Sequence, residues 1–275
     1  MPTRPTLQLI FSAALAIVLT CVSDPSSAER VDPALGAALA DPGRPANASA
    51  RDAVRHPLEE LTFFGLQSNQ TVVELWPGGG GYWTDILGPY LAAHGRLYVA
   101  LPARGNTEED AGAVRWRARY LGNPGHYGAI VETALGADHF EIAPPGTADL
   151  VVTFRNLHNW VAGGYAPQAL AACFRALKPG GILGIEDHRA RNDRAQDPKA
   201  ADGYVRQDYT IALAKQAGFE LVASSEMNAN PRDTKDWPAG VWTLPPTFAL
   251  GDKDRARYAA IGEADNFVLK FRKPK

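Results

Sequence analysis

The amino-acid sequence predicts an α/β fold, in which a mostly parallel sheet carries helices on both faces. Strand-like and helix-like segments alternate along residues 71–271, and such alternation is typical of a parallel sheet covered by helices. Four glycines, residues 78–81, directly follow the first strand-like segment, which is typical of a ligand-binding turn at a strand end. The chain has 275 residues, of which 45% are hydrophobic and 21% charged, and this composition suits one large globular domain.

The predicted strands are short, apolar and rich in β-branched residues. They comprise Thr71–Leu75, Arg96–Leu101, Ala129–Thr133, Asp149–Phe154, Ile182–Glu186, Phe219–Ser225 and Asn266–Phe271. The predicted helices place apolar residues at helical spacing. They comprise Tyr82–Ala93, Glu108–Leu121, Pro167–Leu177 and Gly203–Ala217. The sequence Lys178-Pro179-Gly180-Gly181 is a strong helix stop, so a turn is expected before the fifth strand.

The N-terminus has the pattern of a secretory signal peptide. Arg4 precedes an apolar run at residues 7–19, and a small-residue cleavage pattern ends at Ala28. The run is shorter than the ~20 residues that a spanning helix needs. We therefore expect residues 1–28 to be removed and the protein to be exported to the periplasm. The alternatives are an uncleaved membrane anchor and lipid attachment at Cys21. Cleavage leaves Cys173 as the only cysteine, which excludes an internal disulfide in the mature chain.

The remaining chain divides into a leader and a main domain. Residues 29–50 are rich in Ala, Pro, Asp and Gly, and we expect a loose leader with one short helix. Residues 51–275 form the main domain, which opens with a helix broken near Pro57. Residues 228–265 form a long insertion before the last strand and contain Trp237 and Trp242. Because loops of this length are usually functional or disordered, and tryptophans argue against disorder, the insertion is predicted to be a lid or a substrate wall. The alternative is a plain structural flap.

The glycine run excludes two common nucleotide-binding motifs. The dinucleotide fingerprint G-x-G-x-x-G requires a third small residue, but that position falls on Trp83 or Thr84, depending on the register. The phosphate loop requires a lysine after the glycines, and none follows. The glycine run therefore matches neither motif.

The segment Glu74-Leu75-Trp76-Pro77-Gly78-Gly79-Gly80 resembles motif I, E-x-G-x-G-x-G, of the class I methyltransferases that depend on S-adenosylmethionine (SAM). Glu74, Gly78 and Gly80 match the motif, whereas Trp76 stands where the family usually has its first glycine. The order of elements and the Lys-Pro-Gly-Gly turn extend the resemblance over roughly residues 35–275. Within the family, the chain is similar to bacterial predicted methyltransferases that often carry export signals.

The resemblance implies a Rossmann-like fold of seven strands, with the last strand antiparallel, and SAM as cofactor. It assigns cofactor binding to Glu74, Trp76, Gly78, Gly80, Tyr82, Asp138 and Asn156. Glu74 is expected to accept hydrogen bonds from the ligand's amino group, and the glycine backbone to lie against its methionine part. The family usually ends strand two with an acid that holds the ribose, but this chain has Val99-Ala100-Leu101-Pro102 there.

Polar residues follow the fourth and fifth strands, where the ligand crevice of such sheets opens. His158 is the first candidate for a catalytic base, because its unperturbed pKa lies near neutrality. Glu186 and His188 are predicted to orient the substrate or to share the proton. The side chains with metal-ligand chemistry on these neighbouring strands are His158, Glu186, Asp187 and His188. Tight ligand spacing such as H-E-x-x-H is absent, so no metal is predicted.

Two functions are compatible with these observations. The first is a SAM-dependent methyltransferase that acts on a small or lipid-like molecule. The second is an exported, non-catalytic binding protein on the same fold, because the ribose acid is missing and SAM is made in the cytoplasm. The net charge of −2 and the pI near 6.3 provide no basic field for nucleic acid, so we expect no nucleic-acid partner.

Overall fold

Seven strands form a single sheet in the computed structural model, which describes Met1, residues 32–103 and residues 111–275. The strands are β1 (Thr71–Leu75), β2 (Arg96–Pro102), β3 (Ile130–Leu135), β4 (Ala148–Phe154), β5 (Leu177–His188), β6 (Glu220–Ser225) and β7 (Asn266–Arg272). Their order across the sheet is β3-β2-β1-β4-β5-β7-β6. Strands β1 to β5 pair in parallel, and β7 pairs antiparallel with both β5 and β6. The predicted fold class is confirmed, including the antiparallel last strand.

Helices cover both faces of the sheet. They are α1 (Pro33–Leu39), α2 (Ala46–Ser49), α3 (Asp52–Arg55), α4 (Pro57–Phe64), α5 (Thr84–Leu91), α6 (Ala111–Tyr120), α7 (Pro124–Tyr127), α8 (Leu157–Gly163), α9 (Ala166–Ala176), α10 (Gln207–Gln216) and α11 (Arg255–Ile261). Helices α8, α9 and α10 pack on one face, and α1 and α4–α7 pack on the other. Successive residues of β1 alternate between these two cores, with Val73 and Leu75 in the first and Val72 in the second.

The strand order reverses between β1 and β4, and this reversal positions the site. The carboxyl ends of β1 and β4 diverge there because their connections leave in opposite directions, so a crevice opens above them. The glycine turn leaves β1 at this point and the His158 segment leaves β4. The fold therefore brings together two segments that the sequence separates by about 80 residues.

The N-terminal leader is more ordered than the sequence predicts. It contains two short helices, and Leu35 of α1 is buried in the core against α5. Asp32 caps α1 by accepting a hydrogen bond from the Ala34 amide, and its other oxygen accepts one from the Tyr90 hydroxyl. The predicted signal peptide, residues 1–28, lies outside the described residues except for Met1. No helix in the described part of the chain is long and apolar enough to cross a membrane.

The insertion between β6 and β7 has a small core of its own. Leu244 and Tyr258 are buried there against Tyr204, with Trp237 packed alongside. The buried carboxylate of Asp233 accepts hydrogen bonds from the Tyr204 hydroxyl, the Trp237 indole and the Asp265 amide. These bonds tie both ends of the insertion to the domain, so the insertion is a folded wall above the sheet.

Two further local features are the break between α3 and α4 and the helix α8. The helix predicted over residues 51–64 is divided as expected, because His56 adopts a left-handed conformation (φ 44°) between α3 and α4. Helix α8 was not predicted. It directly follows β4 and buries Leu157, Trp160 and Val161, which recur at helical spacing in a stretch too short to stand out in the sequence.

Candidate active site

A cavity of about 590 Å³ opens at the carboxyl edge of the sheet, above β1, β4 and β5. The glycine turn forms one side of the cavity, and His158 and His188 form another. The insertion contributes Val241 and Trp242 as an apolar wall, whereas Trp237 is packed in the small core of the insertion. A second cavity, of about 230 Å³, continues from the glycine turn to the end of β2.

The glycine turn presents bare backbone to the cavity. Gly78 has a positive φ of 69°, and an added Cβ at Gly78 or Gly80 would meet no atom of the described residues within 4 Å. At Gly81, in contrast, an added Cβ would lie 2.1 Å from the Tyr120 hydroxyl. Gly81 is therefore required for packing, whereas Gly78 and Gly80 leave open space in which a ligand can approach the backbone.

Glu74 lies fully buried at the end of β1 and lines the cavity. Its Oε2 accepts a hydrogen bond of 2.7 Å from Thr84, whose hydroxyl in turn accepts one from the Trp116 indole. Its Oε1 is buried and has no hydrogen-bond partner among the described residues. Burial raises the pKa of Glu74 to about 8, and the nearby Asp85 adds to the shift. A ligand that donates a hydrogen bond to Oε1 would satisfy this buried oxygen.

Trp76 takes the place of the first motif glycine by adopting a left-handed conformation, with φ 51°. Its indole donates a hydrogen bond to the Leu135 carbonyl and packs edge-on against Trp160. The ring therefore forms a partition between the two cavities, both of which it lines.

Asn156 also lies at the junction of the two cavities. Its side-chain amide donates to the carbonyls of Leu75 and Trp76, and so ties the end of β4 to the glycine turn. Tyr82 lines the larger cavity, and its hydroxyl donates to Asp52. These contacts hold the turn in place from both sides.

The remaining candidate for cofactor binding, Asp138, lies apart from these residues. It is exposed in the turn after β3 and lines neither cavity. The wall of the smaller cavity at the end of β2 consists of Leu101 and Pro102, and no carboxylate lines this cavity among the described residues. Residues 104–110, which follow β2, lie outside the described part of the chain.

His158 is held by a buried carboxylate. Its Nδ1 lies 2.8 Å from Oδ1 of Asp187, and its backbone amide donates to Oδ2 of the same side chain. Burial raises the pKa of Asp187, but the interactions with His158 and His188 outweigh this effect and hold the pKa below its usual value. The ionised carboxylate therefore accepts the Nδ1 proton, which leaves the Nε2 lone pair of His158 available as a base.

His188 is fixed in a similar way by an amide. Its Nδ1 lies 2.7 Å from Oδ1 of Asn266, and the Asn266 amide nitrogen donates to Glu186. This chain of bonds makes Asn266 Oδ1 an acceptor, so Nδ1 of His188 carries the proton. Burial lowers the pKa of His188 to about 3 and keeps the ring neutral. The two imidazole rings lie 5.2 Å apart, and both line the cavity.

Glu186 points to the opposite face of β5 from Asp187. It is fully buried, and its Oε1 accepts hydrogen bonds from Arg155, Asn228 and Asn266. It does not line the cavity. Its contacts place it beneath the site, where it orients Asn266 and two arginines.

Asp187 is a sequence-based candidate only as a metal ligand, and Asn266 and Arg55 are not among the candidates. Asp187 adjoins two candidates, and the alternation of side chains along a strand indicates that it faces the opposite side from Glu186. Asn266 reaches His188 only through the pairing of β5 with β7, which local sequence does not specify. Arg55 has no sequence motif that marks it.

His158, Asp187 and His188 also have the residue types of a metal site, and a potential ligand atom from each lies within 4.8 Å of the others. Both carboxylate oxygens of Asp187, however, already accept hydrogen bonds from the backbone or from His158. The carboxylate is therefore occupied in orienting His158.

The comparisons with known proteins support the fold. No protein-family model matches the chain, and no curated protein matches its sequence. A SAM-dependent methyltransferase from Aquifex aeolicus superimposes with a TM-score of 0.52 at 16% identity, covering 88% of this chain and 98% of the other. Phosphoethanolamine N-methyltransferase 2 from Haemonchus contortus, solved with SAM bound, superimposes with a TM-score of 0.52 at 15% identity. The match covers 80% of this chain and 53% of the other.

Proteins with this fold do not all have the same activity. The [4+2]-cyclase SpnF superimposes with a TM-score of 0.54 at 15% identity, covering 80% of this chain and 81% of the other. At such identities the likeness establishes a Rossmann-like methyltransferase fold. The activity must be argued from the residues of this site.

Proposed function

We propose that the protein is a SAM-dependent methyltransferase that acts on a small or lipid-like molecule. The observation that carries the proposal is the open glycine turn beside Glu74, which faces the same cavity as the His158–Asp187 pair. One side of the cavity thus has the features of a cofactor cradle, and the other has a fixed base. The resemblance of motif I and the methyltransferases among the structural neighbours support the same function.

The residues present fit the cofactor. Gly78 and Gly80 leave room for it, and the unpartnered oxygen of Glu74 suits its amino group. Trp76 and Asn156 border the passage to the smaller cavity, whose apolar wall suits an adenine ring. When bound, SAM supplies an electrophilic methyl group.

The chain's own residues position the acceptor and accept its proton. The Nε2 lone pair of His158 takes the proton from the acceptor group, and Asp187 stabilises the resulting imidazolium. His188 stays neutral and offers a second acceptor nitrogen, which orients a donor group of the substrate. Trp242, edge-on to His158, excludes water from this side of the cavity.

Binding of S-adenosylhomocysteine (SAH), the demethylated cofactor, tests the cradle. Gly80→Val is expected to weaken SAH affinity at least tenfold without unfolding the protein, because the added side chain projects into open cavity space. Gly125→Val is the matched control, since Gly125 is exposed, has equally open space and lines neither cavity. Equal SAH affinity in both variants would show that the turn does not bind the cofactor.

Methyl transfer itself is tested with SAM that carries a deuterated methyl group. Incubation with a small-molecule extract is expected to yield a product with the labelled methyl, and His158→Asn to reduce its rate about 100-fold or more. SAH binding without a labelled product would favour the second candidate, a non-catalytic binding protein on the same fold. Trp76 in place of a glycine, and the missing carboxylate at the end of β2, favour that candidate.

We also propose that the protein is exported, with residues 1–28 as a cleaved signal peptide. The charged start, the short apolar run and the small residues before position 29 support this proposal. N-terminal sequencing of the protein from its periplasmic fraction is expected to begin at Glu29. A first residue of Met1 in the membrane fraction would support the alternative of an uncleaved anchor.

A further inference from the structure

Three arginines form one wall of the large cavity. Arg51 and Arg55 lie at the two ends of α3, and Arg155 follows β4 in a left-handed conformation with φ 62°. We call Arg51, Arg55 and Arg155 the arginine wall. None of them takes part in the proton transfer described above, so their presence in the cavity calls for another explanation.

The arginine wall contains unused hydrogen-bond donors. Arg55 is only 6% exposed, and its Nε has no hydrogen-bond partner among the described residues. Its nearest carboxylate is that of Glu186, at 3.6 Å from Nη2, which is beyond hydrogen-bonding distance. The Nη2 group of Arg155 is likewise buried and unpartnered within the described part of the chain. Buried donors of a charged group are costly to leave unsatisfied.

The charges around the arginine wall do not balance. Glu263 accepts from both Arg51 and Arg155, and Glu186 accepts from Arg155. The third carboxyl nearby, Glu60, is fully buried, and burial together with the Glu186 carboxylate raises its pKa well above the usual value.

Among the described residues, hydrogen bonds from the three guanidiniums reach only two carboxylates, those of Glu186 and Glu263. Asp52 does not add a third, because it already binds Arg44 in a bidentate pair. Burial lowers the pKa of Arg55 to about 10, and the charges of Arg155 and Arg51 add to this effect. An anion in the cavity would restore the balance and satisfy the free donors.

The position of the arginine wall assigns this anion to the acceptor. Arg55 lies over the rings of Tyr82 and Trp83, which follow the glycine turn. The carboxylates that hold Arg51 and Arg155 lie on β5 and shortly before β7, on the far side of β4 from β1. His158 and His188 are on the same side, and Phe154 and Trp242 supply apolar surface between the wall and the insertion. A molecule that extends from the arginines to His158 would cross this apolar surface.

We propose that the arginine wall binds the carboxylate of an acidic methyl acceptor with an apolar or aromatic body. The proposal rests on the proposed function, because it concerns the acceptor of that same site. Guanidinium groups match a carboxylate with paired N–H donors, and the wall offers the buried, unpartnered Nε of Arg55 and Nη2 of Arg155.

Benzoate is the probe, and benzyl alcohol is its neutral counterpart. Calorimetric titrations of the full chain, with and without saturating SAH, are expected to show benzoate binding at least tenfold tighter than benzyl alcohol. Arg55→Met is expected to weaken benzoate binding at least tenfold, and Arg175→Met, an exposed control remote from the cavity, to leave it unchanged. Thermal unfolding checks the fold. Should Arg55→Met not fold, Arg55→Lys is expected to weaken binding at least threefold, because lysine lacks the fork.

Equal binding of the two probes, or equal benzoate binding in wild type and both Arg55 variants, would overturn the proposal. A third result would also overturn it. If Arg55→Met weakens the binding of SAH but not that of methylthioadenosine, which lacks the carboxylate, the arginine wall serves the cofactor and not the acceptor. Failure of SAH to bind would contradict the proposed function alone, since benzoate is also titrated without SAH.

Discussion

At the scale of single residues, burial makes the acid and one base of the site neutral. The pKa of Glu74 rises to about 8 and that of His188 falls to about 3, because a low-dielectric surrounding disfavours the charged form of each. Asp187 stays ionised, because it accepts three hydrogen bonds from His158 and His188. The site thus holds one ionised carboxylate beside neutral hydrogen-bonding groups.

The protonation of Glu74 predicts a pH dependence of stability. The folded state keeps a proton on this carboxyl between about pH 4.5 and 8, whereas the unfolded state loses it. Through this window the contribution of Glu74 to the free energy of unfolding falls as pH rises, by about 1.4 kcal/mol per pH unit. Urea unfolding at pH 5 and pH 8 is expected to show that Glu74→Gln gains stability relative to wild type at the higher pH. Parallel pH curves for the two proteins would contradict this assignment.

The hydrogen bonds of the two imidazoles predict their tautomers. Nitrogen-15 NMR of the histidine side chains is expected to show both His158 and His188 protonated at Nδ1, with His188 neutral from pH 8 down to pH 5. Asn266→Leu should remove the preference of His188 for that tautomer while leaving His158 unchanged. A His188 ring that becomes charged above pH 5 would show that the ring is less shielded from water than described.

At the scale of elements, most strands could be predicted from their runs of apolar and β-branched residues. Such runs occur because both faces of the sheet are buried. Strand β1 begins and ends at the predicted residues, and β4 differs by one residue at its start. Strand β5 begins earlier than predicted, because Lys178–Gly181 continue the strand instead of forming a separate turn. Helix α8 and the pairing of His188 with Asn266 were missed, since one is short and the other depends on contacts distant in sequence.

The contact between α4 and β5 predicts a packing limit. A Cβ on Gly184 of β5 would lie 2.8 Å from three ring atoms of Phe64, which is fully buried. Gly184→Ala is therefore expected to lower the free energy of unfolding by about 1–3 kcal/mol. Gly80→Ala, which has open space around its Cβ, is expected to change it by less than about 0.5 kcal/mol. Denaturant unfolding measures both, and equal effects would contradict the packing described for this face.

At the scale of the whole molecule, the sequence predicted the architecture better than the site. Motif I and the order of elements were sufficient for the fold, because both can be recognised from residues close together in the sequence. The arginine wall was not predictable, since its charge balance depends on Glu60, Glu186 and Glu263, which come from three separate segments. Nor does the sequence indicate that Glu186 supports the site from below whereas Asp187 orients the base.

The central claim is that the cavity binds the cofactor of a methyltransferase, and one titration tests it most directly. The full chain is titrated calorimetrically with SAH, with NAD as the control ligand. We expect micromolar binding of SAH and none of NAD, because the turn has open glycines and a free Glu74 oxygen but lacks a dinucleotide fingerprint. Absence of SAH binding, or equal binding of NAD, would contradict it.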